Sequence, residues 1–177
     1  MPKHLEDVEK KLLEVTRAEL LDKGPDKLNI RGIAKQCRIS IGTVYNYFPS
    51  KEMLVANVML ADWVEILGRA KEVCAQVERV EDALLAIYVG IIEFSGIYSS
   101  VYNHYSQHSA NIHFYFERRQ RLVGQLSELI EAVLVRHGFS RTQFMSKFIA
   151  EIILVASADK KNDFSEYLDL IKLTLAK

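Results

Sequence analysis

Apolar residues recur at intervals of three and four along most of the 177-residue chain, with charged and polar residues between them. In the first segment, Leu5, Val8, Leu12 and Val15 follow one another with the period of an amphipathic helix. The same period predicts long helices over about 51–76, 80–107, 112–137, 140–158 and 163–176, with a break near Gly96. No segment shows the regular alternation of a strand, so the pattern predicts an all-α protein of about nine helices.

Residues 28–51 predict two short helices joined by a tight turn. Gly24 and Pro25 end the helix before them. Asn29 and Ser40 each precede an apolar helical pattern, where a side-chain oxygen can accept from the free amides of the first turn. Helices of about seven residues are not stable alone, so this pair must pack against its neighbours. The arrangement matches a helix-turn-helix, whose second helix enters the major groove of DNA.

The same segment is the basic part of the chain. It carries four basic residues and no acidic one, whereas the whole protein has 23 Lys plus Arg and 23 Asp plus Glu. Residues 1–51 together hold ten basic and seven acidic side chains. A surface with this surplus attracts phosphate backbones, although the surplus is modest beside that of strongly basic DNA-binding proteins.

Other functional classes find little support in the sequence. Cys37 and Cys74 lie in apolar helical patterns without the spacing of a zinc site, which predicts buried free thiols. The charged N-terminus is no signal peptide, and we expect no apolar run to approach the length of a membrane span. Paired carboxylates, a nucleophile elbow and a phosphate loop are lacking. We therefore expect a cytoplasmic protein without membrane contact, cofactor, metal or catalytic site.

Three groups of residues resemble the DNA-binding domain of the TetR family of bacterial transcriptional regulators. They are Ile33-Ala34-Lys35, the run Ser-Ile-Gly-Thr-Val-Tyr-Asn-Tyr-Phe at residues 40–48, and Ser50-Lys51-Glu52. The remaining two thirds of the chain fit the family only in length and helicity. The resemblance implies a helix-turn-helix domain of three helices at residues 1–51. It also implies an effector-binding and dimerisation domain at residues 52–177, with the fourth helix, from about residue 51, as the link.

The resemblance implies roles for individual residues in DNA binding. Thr43, Tyr47 and Lys51 contact phosphates, which position the protein and carry little sequence information. Arg31 is the candidate for a guanine contact and Asn46 for an adenine contact. The complete predicted set is Asn29, Arg31, Ser40, Ile41, Gly42, Thr43, Tyr45, Asn46, Tyr47 and Lys51.

Two positions depart from the family pattern. Arg38 stands where the family often has glycine, so either it adopts a left-handed backbone at a cost of about 1 kcal/mol, or the turn differs. Ile41 replaces a residue that is often polar, and it could contact a thymine methyl group. Arg31, Lys35 and Arg38 also admit a simpler interpretation as an ordinary solvated helix face.

The larger domain concentrates aromatic residues in one stretch, and residues 88–116 hold eight of the 17 in the chain. Such stripes are often core, but tyrosine hydroxyls also suit a cavity with a few polar groups, and in the family this region encloses the effector. Histidines at 104, 108 and 113 leave metal ligation open as an alternative. The predicted pocket residues are Trp63, Tyr88, Phe94, Tyr98, Tyr102, His104, Tyr105, His108 and Tyr115.

The last two predicted helices carry wide apolar stripes, which favours burial on two sides. Similarity to the family implies a four-helix interface with a second subunit, whereas packing within one chain is the alternative. The predicted interface residues are Phe144, Phe148, Ile152, Val155, Phe164, Leu168, Ile171 and Leu175.

These observations favour a homodimeric transcriptional regulator, expected to be a repressor, that binds a palindromic operator and is released by a small-molecule effector. Activation rather than repression stays open. One alternative is a ligand sensor or interaction module of the same fold that has lost or altered DNA binding. Another is an all-α enzyme that uses the histidines with a metal.

Overall fold

Eight α-helices make up the described part of the chain, which in this computed structural model is residues 3–108, 112–140 and 142–175. Side chains are described from residue 7 onward, apart from those of residues 106–108 and 112–119. The helices are α1 (Lys3–Lys27), α2 (Ile30–Cys37), α3 (Ile41–Tyr47), α4 (Lys51–Gln76), α5 (Val80–His108), α6 (Ile112–Arg136), α7 (Thr142–Ala158) and α8 (Phe164–Leu175). The predicted all-α class is confirmed.

The predicted break near Gly96 is wrong, because α5 continues through this residue. A glycine in a helix interior costs about 1 kcal/mol relative to alanine. Phe94 and Tyr98, two residues to either side, are buried. Burial of two aromatic side chains outweighs the cost of one glycine, so the helix stays intact. By contrast, α1 is interrupted where expected, at Gly24, whose φ is 77°.

The composition of α5 also corrects the expectation that no apolar run approaches the length of a membrane span. Val80–Tyr105 is long and apolar enough to cross a membrane, with a mean hydropathy of 1.6 over its most apolar window. The core helix of a soluble protein can have the same composition, and α5 buries Leu84, Ile87 and Tyr98 inside the protein. Length and hydropathy are therefore weak evidence for a membrane span here.

The first of two compact units contains the chain up to Val64 together with Gly96–His108. It includes α1 to α3, the first half of α4 and the C-terminal part of α5. α2 packs against both α1 and α3, which gives the two short helices the support that they lack alone. Its core includes Leu12, Leu20, Leu28, Ile33, Val44, Phe48, Leu54 and Tyr98.

The second compact unit contains Glu65–Ser95 and the chain from residue 109 onward. α6 packs along α7, and α7 contacts α8. Its core includes Leu84, Ile87, Leu126, Ile130, Leu134, Ile149, Ile153 and Ile171. The two units thus divide within α4, after Val64, while the predicted functional boundary at residue 51 stays a prediction.

Candidate nucleic-acid interface

Side-chain caps fix the starts of the two short helices. Asn29 Oδ1 accepts a hydrogen bond from the Gly32 N–H at 2.9 Å, and Ser40 Oγ accepts from the Thr43 N–H at 3.0 Å. Each cap satisfies an amide that the helix itself leaves without a partner, which stabilises the fold by about 1 kcal/mol. Both caps predicted from the sequence are confirmed.

The turn between α2 and α3 is held by a backbone motif centred on Arg38. The Arg38 N–H donates to the Lys35 carbonyl at 3.1 Å, and the Ile39 N–H donates to the Ala34 carbonyl at 3.0 Å. Arg38 itself is left-handed, with φ 59° and ψ 40°. This pair of bonds is a Schellman motif, whose left-handed position usually holds glycine. Arg38 therefore adopts the left-handed backbone, at a cost of about 1 kcal/mol, and the turn has the geometry usual for glycine.

α3 buries one side and exposes the other. Val44 and Phe48 lie in the core, whereas Gly42 and Asn46 are exposed. Ile41 and Tyr45 are exposed over 37 % and 45 % of their surface, which is unusual for large apolar and aromatic side chains. The helix thus presents a mixed apolar and polar face that its own unit does not cover.

Two predicted phosphate ligands have partners within the protein. The Lys51 Nζ donates to the Pro25 carbonyl at 2.8 Å, which ties the start of α4 to the end of α1. An ammonium group has three donors, so this bond leaves two for an anion. The Thr43 hydroxyl lies 2.8 Å from the Ser40 Oγ, so it is held at the first turn of α3.

The basic residues of α2 lie in solvent. Arg31 and Lys35, four residues apart, share one exposed face of the helix, and Arg38 follows at its end, also exposed. None of the three makes an ion pair among the residues whose side chains are described. Residues 28–51 therefore join an uncompensated basic face on α2 to the open face of α3.

This arrangement has known relatives. Residues 12–58 match the family model described as bacterial regulatory proteins, tetR family. The likeness to this family therefore lies in the segment that holds α2 and α3. UidR of Escherichia coli K12, an HTH-type transcriptional regulator, is 34 % identical over 62 residues, which are 35 % of this chain and 32 % of UidR. KstR of Rhodococcus jostii RHA1, an HTH-type transcriptional repressor, is 31 % identical over 62 residues, which are 35 % of this chain and 29 % of KstR.

The chain spans a third or less of the length of the curated relatives that it matches. A solved structure extends the likeness in fold to nearly the whole chain. The crystal structure of a TetR-family transcriptional regulator from Pectobacterium atrosepticum superposes with a TM-score of 0.69, covering 99 % of this chain and 95 % of that one. The sequences are 16 % identical, so this likeness shows a shared fold alone.

Tyr98, predicted as a pocket residue, takes part in a buried polar network of the first unit. It is fully buried, and its hydroxyl donates to Asp62 Oδ2 at 2.8 Å. The Arg17 Nε donates to both oxygens of the same carboxylate, at 2.7 Å and 2.9 Å. Burial, and then the neighbouring Asp62 carboxylate, raise the pKa of Tyr98 well above its ordinary value. The network joins α1, α4 and α5.

The other predicted pocket residues occupy both units. In the first unit Trp63 is buried, Tyr105 is half-buried and Tyr102 is 42 % exposed. In the second unit Phe94 is buried, and the ring of Tyr88 stacks on Phe164 with centroids 4.0 Å apart. The side chains of His108 and Tyr115 lie outside those described. The pocket stays a prediction.

His104 has a partner on α1. Its Nδ1 lies 2.9 Å from Asp26 Oδ1, and its ring meets that of Tyr105 edge-on. His108 and His113, the other two histidines of the metal alternative, lie outside the described side chains. Among the side chains that are described, no three histidine, cysteine or carboxylate groups are placed to share a metal ion.

The predicted dimer residues divide by exposure. Phe144, Phe148 and Val155 on α7 are exposed over 77 %, 42 % and 56 % of their surface, and Ile152 is partly exposed. Phe164 and Ile171 on α8 are instead buried within their own unit. The sequence-based assignment missed Leu170 and Leu173, which are 57 % and 73 % exposed on the same helix. Leu168 and Leu175 are intermediate.

Proposed function

We propose that this chain is a transcriptional repressor that binds a palindromic DNA operator as a homodimer in the bacterial cytoplasm and is released by a small-molecule effector. The observation that carries the proposal is the structure of residues 28–51. A capped, open α3 lies beside an uncompensated basic face on α2. No catalytic activity is part of the proposal, since the family is one of regulators.

The exposed and partly exposed side chains of residues 28–51 suit the two tasks of DNA binding. Thr43, Tyr47 and Lys51 contact phosphates and set the register of the protein on the duplex. Arg31 and Asn46 carry the donors and acceptors that discriminate bases in the major groove, as arginine pairs with guanine and asparagine with adenine. Ile41, exposed at the first position of α3, has no polar atoms on its side chain and suits a thymine methyl group.

The Arg17–Asp62–Tyr98 network supports effector control through α4. A carboxylate shared by an arginine and a tyrosine holds three helices in one arrangement, and a bound molecule that displaces α5 would change that arrangement. An effector releases DNA only if it binds the released form more tightly than the DNA-bound form. We assign the effector to the aromatic region of α5, without identifying its chemical class.

The open face of α7 and α8 supports dimerisation as part of the proposal. Phe144, Phe148, Val155, Leu170 and Leu173 are large apolar side chains that the unit leaves exposed. Such a face on two neighbouring helices favours pairing with its own copy into a four-helix bundle. A dimer brings two recognition helices to half-sites one helical turn apart, or a multiple of it. Repression is the activity named for KstR, and we extend it to this chain as part of the proposal.

Selection of bound fragments from genomic DNA tests the proposal. We expect a palindromic sequence to be enriched, and its neighbouring genes to indicate the class of the effector. Fragments enriched without internal symmetry would contradict dimeric recognition. No enrichment of any sequence, at low or at physiological salt, would favour the alternative of a sensor that lacks DNA binding.

A further inference from the structure

Arg38 has a left-handed backbone conformation, which is less stable for a residue with a side chain than for glycine. It is the one non-glycine residue with positive φ within the described ranges, at φ 59° and ψ 40°. The Schellman bonds at this turn come from backbone groups, so they need no particular side chain. After the end of α6, the chain has glycine at its positive-φ position, Gly138, with φ 78°. Glycine would therefore build the α2–α3 turn with less strain than arginine does.

Backbone strain of this kind is concentrated at functional sites, where the strained residue takes part in binding or catalysis. Arg38 adds no ion pair to the described structure, so its guanidinium does not offset the strain by binding another part of the protein. It is exposed, and Arg31 and Lys35 precede it on the exposed face of α2. No acidic residue occurs from residue 28 to residue 51. The turn thus carries a solvated cation at the end of a basic face, two residues before Ser40 caps α3.

We propose that Arg38 binds a phosphate of the operator backbone and thereby positions the start of α3 at the edge of the major groove. The inference rests on the proposed function, and it adds a phosphate ligand at a position where the resembled family often has glycine. A planar guanidinium matches the oxygens of a phosphate in a bidentate manner. The residues at the start of a recognition helix approach the base edges, so a cation immediately before that helix lies near the flanking phosphates. The interaction raises affinity for all sequences alike.

The test compares Arg38→Gly, Arg38→Gln and Arg38→Lys with the unchanged protein. Arg38→Gly relieves the strained turn, so we expect a higher midpoint of urea unfolding together with about tenfold weaker DNA binding. Each of the two subunits loses one bound phosphate, so the slope of log affinity against log salt should become shallower by about 1.8, or about 0.9 per subunit. Arg38→Gln should weaken DNA binding to the same extent without the gain in stability. Arg38→Lys should keep most of the affinity and the slope.

Lys160→Gln is the control, because it removes one exposed positive charge from the loop between α7 and α8. Its affinity and salt slope should match those of the unchanged protein. If Arg38→Gly is more stable and binds DNA with unchanged affinity and slope, Arg38 binds no phosphate and the inference is overturned. If the unchanged protein itself binds no DNA at low salt, the proposed function fails instead. The two failures are therefore distinguishable.

Discussion

Single residues set the local geometry of this chain, and many of them can be identified from the sequence. Asn29 and Ser40 cap helices because their short side chains place an oxygen within reach of a free amide of the first turn. Arg38 departs from the glycine that the resembled family often has at this position. The sequence alone allows two backbone conformations there, and the Schellman hydrogen bonds of the structure decide between them. A side-chain contact can thus be predicted from the sequence where its two partners lie within four residues of each other along the chain.

Asp159 gives a pH dependence that can be measured at the residue scale. Its carboxylate accepts hydrogen bonds from the Tyr167 hydroxyl, the Lys161 N–H and the Asn162 side chain. The Tyr167 bond first, and then the Lys161 N–H, lower the pKa of Asp159 to about 2. The folded pKa is below the ordinary value of about 4, so this contribution to stability is present above pH 4 and is lost as the pH falls towards 2.

We therefore expect Asp159→Asn to unfold at a lower urea concentration than the unchanged protein at pH 6. The difference between the two urea midpoints should become smaller as the pH falls towards 2. The measurement is a series of urea unfolding curves between these values. Asp163→Asn, on the same loop, is the control, because Asp163 takes no part in the hydrogen bonds that lower the pKa of Asp159. An Asp159→Asn difference that stays constant with pH would contradict the assignment.

Elements are stabilised by contacts between residues far apart in sequence, and these contacts are not predictable from local patterns. Arg17, Asp62 and Tyr98 come from three helices, and no local pattern marks them as partners. The spacing of Tyr98 matches that of other aromatics and leaves core and pocket both open, but it does not indicate that the hydroxyl binds a carboxylate 36 residues away. Contacts with distant residues also explain why α5 continues through Gly96. Burial of the residues around this glycine outweighs its low helix propensity.

Tyr98→Phe isolates the tyrosine part of this network. It removes one hydrogen bond to a buried carboxylate and leaves the Arg17–Asp62 pair in place, so we expect a loss of about 1 to 3 kcal/mol in unfolding free energy. Urea unfolding measures it. Tyr88→Phe is the matched control, since it keeps the ring that stacks on Phe164. A loss within about 0.5 kcal/mol for Tyr98→Phe, the range of neutral surface changes, would show that the network does not hold α5.

At the scale of the whole molecule, the sequence predicts an all-α fold with its helix-turn-helix at the N-terminal end. The dimer face shows the limit of that prediction. Apolar periodicity marks α8 as amphipathic, but it does not tell which apolar residues face the core of the unit. Phe164 and Ile171 do so, and Leu170 and Leu173 do not, because the contacts of α8 with the rest of its unit decide the orientation.

Phe148→Asp tests the proposed dimer. A carboxylate in the middle of a paired apolar face would be desolvated without a partner, so we expect the variant to sediment as a monomer where the unchanged protein sediments as a dimer. Val135→Asp is the control, as Val135 is an apolar residue with 59 % exposure on α6, outside the proposed face. Equal sedimentation of both variants and the unchanged protein would place the interface elsewhere.

The most direct test of the central claim is a competition between the selected palindrome and unrelated DNA of equal length at physiological salt. If α3 reads bases, the purified protein should prefer the palindrome by about a thousandfold or more. Asn46→Ala should reduce this preference more than it reduces binding to unrelated DNA. Equal affinity for both DNA molecules would contradict the account, because charge alone would then explain the binding.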